Sequence, residues 1–257
     1  MPDSTAMRRL DALLIGAVAL VSAAAIVDAL GPSQRASEQV DEAVADLRDA
    51  HVRGTLVVAA PDCSRRELEL PSLHQRPLGV IACSVYGRPG SLAVFRGGVV
   101  WYAFAGGTTT LLRREQLDDY LGRRSEVLRA AWLGNVRYAA AYRVQGRPGE
   151  TLALFERSRL VRVLARALDF ADVRSSPSGR FLAARSDQGL RLYDALGDRL
   201  PVPEEVLRAG AVAWSPDERW TVAAAADHLA VFRTRSRSVA ARIPFGAVDV
   251  DWAATRP

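Results

Sequence analysis

A nine-residue segment that occurs twice in the second half of the chain constrains the fold more than any other feature. Residues 173–181 read VRSSPSGRF, and residues 212–220 read VAWSPDERW. Each copy is followed by a strand of small residues, a polar turn and a strand with alternating apolar residues. The two copies begin 39 residues apart. A repeat with a period of this size is one supersecondary unit that cannot bury its apolar face alone. The spacing therefore predicts several units stacked side by side.

An aromatic residue closes the alternating strand of each unit. Phe155, Tyr193 and Phe232 follow one another at nearly the spacing of the two copies, and a similar strand ends at Phe95. We expect these four aromatic residues to be equivalent. The gap between Phe95 and Phe155 is wider than one unit. It predicts a short helical insertion near residues 113–129, where leucines are spaced among many charges.

The turn that opens a unit contains a Ser-Pro pair, Ser176-Pro177 in one copy and Ser215-Pro216 in the other. Proline presets the backbone of the first turn position, and short polar side chains bond to the turn backbone. These four residues are the predicted turn positions of the repeat.

These residues resemble the WD40-like and TolB-like β-propeller repeats. Residues 214–217, Trp-Ser-Pro-Asp, are similar to the turn that opens a blade of that family, and Tyr193-Asp194 is similar to its aromatic-Asp step. The resemblance is specific for residues 171–252, suggestive for 126–170 and weak for 54–112. It implies an all-β domain over residues 53–257, a β-propeller of about five four-stranded blades.

The chain also departs from the family pattern in ways that mark it as a divergent relative. A Gly-His dipeptide is missing from the sequence, and Glu218 stands where the turn glycine is expected. The aromatic-Asp step becomes Phe155-Glu156 and Phe232-Arg233 in the neighbouring units.

The two ends of the domain are predicted to share one blade. Residues 248–252 look like the first strand of a unit that then stops, because Trp252 follows Trp214 at nearly the same spacing. Residues 54–60 and 67–70 match the second and third strands in character. Antiparallel pairing of 248–252 with 54–60 would remove the open edge of a linear array.

The N-terminal segment is predicted to be a membrane anchor. Residues 1–9, which include Arg8-Arg9, form a cytoplasmic tail ahead of an apolar run over residues 10–30. We expect this run to be a single transmembrane helix or uncleaved signal, with the C-terminal domain outside the cytoplasm. Small residues at 23–25 keep a cleaved secretory signal, and hence a secreted form, as the alternative.

Residues 31–52 are predicted to form a short, acidic, amphipathic stalk helix with its linker. Val40, Val44 and Leu47 recur at helical spacing, and Ser33 can cap the helix start. A helix packed on the domain is an equal alternative for the same pattern.

Two cysteines, Cys63 and Cys83, form a possible disulfide, because an exported domain meets an oxidising environment. Two small buried apolar residues are the alternative. The cysteines and the three histidines have no spacing typical of a metal site, and no metal or cofactor is predicted.

Signals for catalysis are weak throughout the chain. Every basic residue is arginine, so mechanisms that depend on a lysine are excluded. No nucleophile elbow, zinc-protease motif or phosphate-binding loop occurs. Three carboxylate pairs, Asp118-Asp119, Glu204-Glu205 and Asp249 with Asp251, are interpreted as solvated turns. No catalytic residue is predicted.

The net charge of +5 does not predict nucleic-acid binding, because the arginines are scattered among acidic residues. The most direct functional interpretation is a membrane-anchored, extracytoplasmic β-propeller that binds a protein or envelope polymer and acts as a scaffold. The alternatives are a secreted propeller enzyme, a hydrolase or lyase, and an envelope sensor that signals to an inner-membrane partner.

Overall fold

The computed structural model of the chain describes residues 36–81, 92–95, 99–104, 107–134, 136–225 and 227–253. The predicted anchor at residues 10–30 lies outside these ranges, as does Cys83. No helix within them is long and apolar enough to cross a membrane. The chain divides into two compact units, residues 1–42 and residues 43–257.

The described part begins with helix α1, residues 36–49, whose last residues are part of the second unit. Leu47 and the following Val52 are fully buried, in one core cluster with strand residues such as Leu56 and Trp252. Val44, predicted for the apolar face, is only half-buried, and Ala43 is buried beside Leu47. The second unit therefore begins before the predicted domain boundary at residue 53, with the end of α1 packed on the domain.

Nineteen strands and two further short helices follow within the described residues. The strands are β1 Gly54–Ala59, β2 Ser64–Leu70, β3 His74–Ile81, β4 Leu92–Phe95, β5 Val99–Phe104, β6 Gly107–Leu112, β7 Ser125–Trp132, β8 Arg137–Val144, β9 Glu150–Glu156, β10 Arg159–Ala167, β11 Phe170–Ser175, β12 Phe181–Ser186, β13 Gly189–Asp194, β14 Arg199–Leu200, β15 Ala211–Trp214, β16 Trp220–Ala224, β17 Leu229–Arg233, β18 Val239–Ile243 and β19 Asp249–Trp252. Helix α2 spans Arg114–Leu121, and a 3-10 helix, η1, spans Glu204–Val206.

The strands form antiparallel sheets that follow one another along the chain. Four sheets have four strands, in the orders β19-β1-β2-β3, β10-β9-β8-β7, β11-β12-β13-β14 and β15-β16-β17-β18. A fifth sheet, β4-β5-β6, has three strands among the described residues, where four were predicted. First strands of different sheets contact each other, since β7 touches both β4 and β11 and β15 touches β19. This topology is consistent with a β-propeller.

The predicted pairing of the two ends is confirmed. Strand β1 pairs with β19 in antiparallel register, with Leu56 opposite Trp252 and Val58 opposite Val250. Trp252 is 1% exposed, and its indole covers Gly54 so closely that a Cβ there would lie 2.4 Å from Nε1. The C-terminal strand is thus an integral strand of the sheet that β1 begins, and it is not a frayed tail.

The predicted insertion at residues 113–129 is helical only in part. Helix α2 occupies its first half and buries Leu117, and Gly122 ends it in the left-handed conformation. Residues 125–129 belong to strand β7. Asp118 lies in α2 and accepts hydrogen bonds from the amide and hydroxyl of Ser125, at 2.5 and 2.6 Å. This carboxylate therefore fixes the passage from helix to strand, whereas a solvated turn was predicted.

Three of the four predicted aromatic positions are equivalent in the fold. Phe155, Tyr193 and Phe232 lie in β9, β13 and β17, each the third strand of its sheet, and are at most 2% exposed. Phe95 differs, because β4 is the first of three strands in its sheet as far as the described residues show. The alternating pattern is shared by any strand with two packed neighbours, so it did not distinguish a first strand from a third.

Candidate functional site

The Ser-Pro turns of the repeat have the same geometry in both copies. The Ser176 hydroxyl oxygen accepts a hydrogen bond from the amide of Phe181 at 3.0 Å, and Ser215 accepts one from Trp220 at the same distance. Both serines are 3% exposed. Pro177 and Pro216 follow them at the first turn position. The four predicted turn residues therefore form the junction between the first and second strands of their sheets. None of them lines either of the two cavities described below.

Glu218 occupies the turn position at which the sequence analysis expected glycine. Its φ is +58°, in the left-handed region that favours glycine, and Gly179 takes φ +76° at the same place in the preceding turn. The Glu218 carboxylate accepts hydrogen bonds from the Ser178 amide at 2.6 Å and hydroxyl at 2.7 Å. The backbone of Glu218 is thus strained, while its side chain links the turns of two sheets.

Cys63 is disulfide-bonded. It lies in the β1–β2 turn with φ +63°, where Asp62 accepts hydrogen bonds from the amide and hydroxyl of Ser64. Cys83 lies outside the described residues, so the pairing of Cys63 with Cys83 stays a prediction.

A buried ion cluster that the sequence analysis missed lies among the first strands. Arg174 on β11 contacts Asp172 on its own strand and Asp249 on β19, the latter at 2.8 Å. The side chains of Arg174 and Asp249 are 11% and 4% exposed. Burial disfavours the guanidinium charge, but the carboxylates of Asp172 and Asp249 outweigh burial and raise the pKa of Arg174.

Asp249 was interpreted as part of a solvated turn, and this was wrong. It lies in strand β19, and its charge is matched by an arginine 75 residues earlier in the chain. Local sequence carries no sign of such a partner. The cluster spans two first strands that are distant along the chain, and it is therefore a tie across the fold and not an accessible acid–base pair.

The space beside this cluster is too small for a ligand. A cavity of about 10 Å³ lies between β11, β12 and β15 and is lined by Asp172, Arg174 and Arg185. This volume accommodates one water molecule. Among the described residues, no group of three or more histidine, cysteine or carboxylate side chains could hold a metal ion.

A much larger opening lies at the outer side of two neighbouring sheets. We call it the arginine groove; it has a volume of about 820 Å³ and is lined by Arg199, Leu200, Pro201, Val202, Glu204, Leu207, Arg235 and Arg237. One wall comes from β14 and the segment after it, and the other from the β17–β18 turn. Binding pockets for small ligands span about 300–1,000 Å³. The groove is thus large enough to bind part of a partner molecule.

A hydrogen-bonding side chain fixes the turn in each wall of the groove. Asp194 of the aromatic-Asp step accepts hydrogen bonds from the amides of Leu196 and Asp198, at 2.9 and 3.0 Å, and so fixes the turn before Arg199. In the next sheet, buried Thr234 donates its hydroxyl proton to the Glu218 carbonyl at 2.8 Å. It lies directly before Arg235. The arginines therefore project from ordered turns.

The three arginines of the groove are cations without an acidic partner in the described part of the chain. None of them forms an ion pair with any residue that the structure describes, and all three are exposed. The Arg235 guanidinium lies 5.7 Å from the ring centre of Phe181 on β12, which gives it a fixed neighbour in the other sheet.

Sequence reasoning missed the groove because the arginines are not a motif. One signal could have found it. When the two copies are aligned so that Val173 matches Val212, Arg235 and Arg237 correspond to Leu196 and Asp198, and Arg199 corresponds to Ser238. The framework residues agree between units while these turn positions differ in charge.

Comparisons with known proteins found distant structural similarities. No protein-family model matches the chain, and no curated protein matches it. The solved β-propeller domain of Cps50 (Swd1) from Myceliophteria thermophila is similar at 12% identity and a TM-score of 0.41, over 77% of this chain and 73% of that one. The C-terminal WD40 domain of Sif2 is similar at 16% identity and a TM-score of 0.35, over 48% of this chain and 39% of that one. Regucalcin from Agrobacterium tumefaciens, a calcium-binding protein, is similar at 12% identity and a TM-score of 0.38, over 74% of this chain and 70% of that one. Likenesses of this degree assign no site or ligand to this chain.

Proposed function

We propose that this chain is a protein-binding module whose repeat domain holds a partner in the arginine groove. The observation that carries the proposal is the groove itself, about 820 Å³ in volume and lined by apolar residues and by three exposed arginines that form no ion pair among the described residues. Arginine is enriched where proteins meet, because its planar guanidinium and long apolar stem suit both polar and apolar contacts.

A site-specific photo-crosslinker tests this proposal. Val202 lies in the groove, and we would replace it with a benzoylphenylalanine residue in cells that naturally make this chain. Arg159, exposed on the outer strand β10, is the matched control position. We expect a protein adduct from position 202 that position 159 does not form. Equal adducts from both positions, or none from position 202, would refute a partner in the groove.

We further propose that residues 10–30 anchor the module in the cell membrane as a single pass, with the domain outside the cytoplasm. The apolar run behind Arg8-Arg9 supports this orientation. Carbonate-washed membranes should retain the full chain. Added protease should digest the domain once the outer layer of the cell is permeabilised while the inner membrane stays intact. Recovery of the full-length chain in the soluble cytosolic fraction would contradict the anchor, and an N-terminus just after residue 25 would indicate the secreted form.

A further inference from the structure

We propose that the occupant of the arginine groove is a short acidic segment of the partner protein, in which carboxylates flank apolar side chains. This inference rests on the proposed function, because it names the chemistry of the partner at the same surface. Three features support this inference: the excess positive charge of the lining, its apolar residues, and the ordered backbone turn that carries two of the arginines.

The lining has an excess of positive charge. Three arginines face the groove against one acid, Glu204, so two positive charges are in excess. The arginines that border the groove differ in this respect. Arg162 forms an ion pair with Asp198 at 2.7 Å, and Arg242 forms one with Glu205 at 2.7 Å. The lining of the groove thus has two positive charges in excess, which favours an anionic ligand.

The guanidinium groups suit a ligand that presents carboxylate or phosphate oxygens. A guanidinium presents parallel N–H groups that match the two oxygens of a carboxylate, and such pairs are directional. Arg235 and Arg237 lie in one turn, which is closed by hydrogen bonds from the Ser236 amide to the Arg233 carbonyl at 2.8 Å and from the Ser238 amide to the Ser236 hydroxyl at 3.0 Å. The backbone that carries these two cations is therefore ordered before binding, so that only the arginine side chains have to be ordered by the ligand.

The apolar residues of the lining favour a peptide over a bare anion. Leu200 is 8% exposed, and Pro201, Val202 and Leu207 are half-buried, so each keeps apolar surface open to the groove. Apolar side chains between the carboxylates of a peptide would cover this surface. Single-stranded nucleic acid is the other large polyanion, but its sites add aromatic stacking platforms, and the described lining holds no aromatic residue.

The test measures binding of fluorescein-labelled decapeptides to the full-length chain in detergent micelles by anisotropy. The acidic probe alternates Glu with Leu and Val, and the neutral probe has Gln in place of each Glu. The groove variant combines Arg199→Gln, Arg235→Gln and Arg237→Gln. The control variant, Arg123→Gln with Arg147→Gln and Arg159→Gln, removes the same charge from exposed arginines that form no ion pair with any described residue.

We expect saturable binding of the acidic probe, at least about tenfold weaker for the neutral probe and for the groove variant, since several exposed pairs are lost together. The control variant should change affinity less than about twofold. Raising the NaCl concentration from 50 to 500 mM should weaken binding, because exposed charges are screened. If the triple variant melts earlier than the unmodified chain, Arg199→Gln and Arg237→Gln alone, which have no ring contact among the described residues, should each show a partial loss.

Equal binding of the two peptides, or equal losses in groove and control variants, would overturn the proposal. So would tighter binding of a single-stranded thymidine decamer, or inorganic phosphate that displaces the peptide at millimolar concentration as well as free acidic peptide does. The two hypotheses remain distinguishable. If the crosslinker at position 202 captures a protein but the acidic peptide fails to bind, the partner chemistry alone is wrong. If no adduct forms at position 202, the protein-binding function itself fails.

Discussion

Glycine at position 218 should destabilise the domain even though glycine is the residue that this backbone prefers. A non-glycine residue in the left-handed region costs about 1–2 kcal/mol, and Glu218→Gly removes that cost. The greater chain entropy of unfolded glycine takes back about 0.5–1 kcal/mol of this gain. Against the small remainder stand two hydrogen bonds from Ser178 to a carboxylate, each worth about 1.5–3 kcal/mol. The difference is about 1.5–6 kcal/mol in favour of the bonds, and a value near the lower end, about 2 kcal/mol, is expected because Ser178 is exposed and water can replace its lost partner.

Thermal unfolding of the purified protein measures this balance. For a domain of this size, about 2 kcal/mol corresponds to a Tm lower by about 4–8 °C. Glu218→Gln keeps one acceptor and should fall between. Gly179→Ala is the matched control for backbone strain alone. It places a side chain at φ +76°, with its Cβ 3.2 Å from the Gly134 amide nitrogen and no hydrogen bond in return, so it should lower the Tm. A Glu218→Gly variant as stable as the unmodified protein would show that backbone strain, and not the link between turns, dominates at this position.

Three further changes test other parts of the fold. Trp252→Ala should cost about 3–5 kcal/mol in urea unfolding, since the indole is 1% exposed in the closing sheet; a loss below about 1 kcal/mol would contradict the closure. Arg174→Met should cost about 3–5 kcal/mol because it removes the charge that Arg174 supplies to buried Asp249, and adding Asp249→Asn should recover part of that loss in the same assay, whereas a double variant no more stable than Arg174→Met would refute the pairing. Cys63→Ser should cost about 3 kcal/mol if Cys63 closes the loop to Cys83, and non-reducing peptide mapping should show that cross-linked pair and no other.

The parts of the fold that follow from local sequence were predictable. Ser176 and Ser215 bind the amide five residues later, so the nine-residue segment contains the whole turn. The pairing of Trp252 with Leu56 was also predictable, although the residues are far apart, because an unfinished repeat at one end of the chain implied its complement at the other.

The ion cluster and the groove could not be predicted in the same way, because both depend on what different sheets bring together. At the positions of Asp172 and Arg174 on β11, the next unit has Ala211 and Ala213. A repeat defines which positions are framework, and charge at a first-strand position has meaning only once the opposing strand is known. Asp249 supplies the opposing charge here, from 75 residues away.

The groove follows the same logic on the outer side of the sheets, and this explains why function in such a fold is carried by departures from the repeat. Asp194 and Thr234 fix the turns of the groove through hydrogen bonds, and both depart from the repeat, since Arg233 and Ala195 are their counterparts in the other copy. The residues that these turns display face solvent, where a substitution changes stability by about 0.5 kcal/mol or less. Positions such as 199, 235 and 237 are therefore free to differ between units at small energetic cost. An excess of arginine at those positions, without ion pairs among the described residues, is charge that folding does not require. Exposed arginines without such pairs also occur singly, at positions 123, 147 and 159, so it is the clustering of three of them in one groove that favours a binding role.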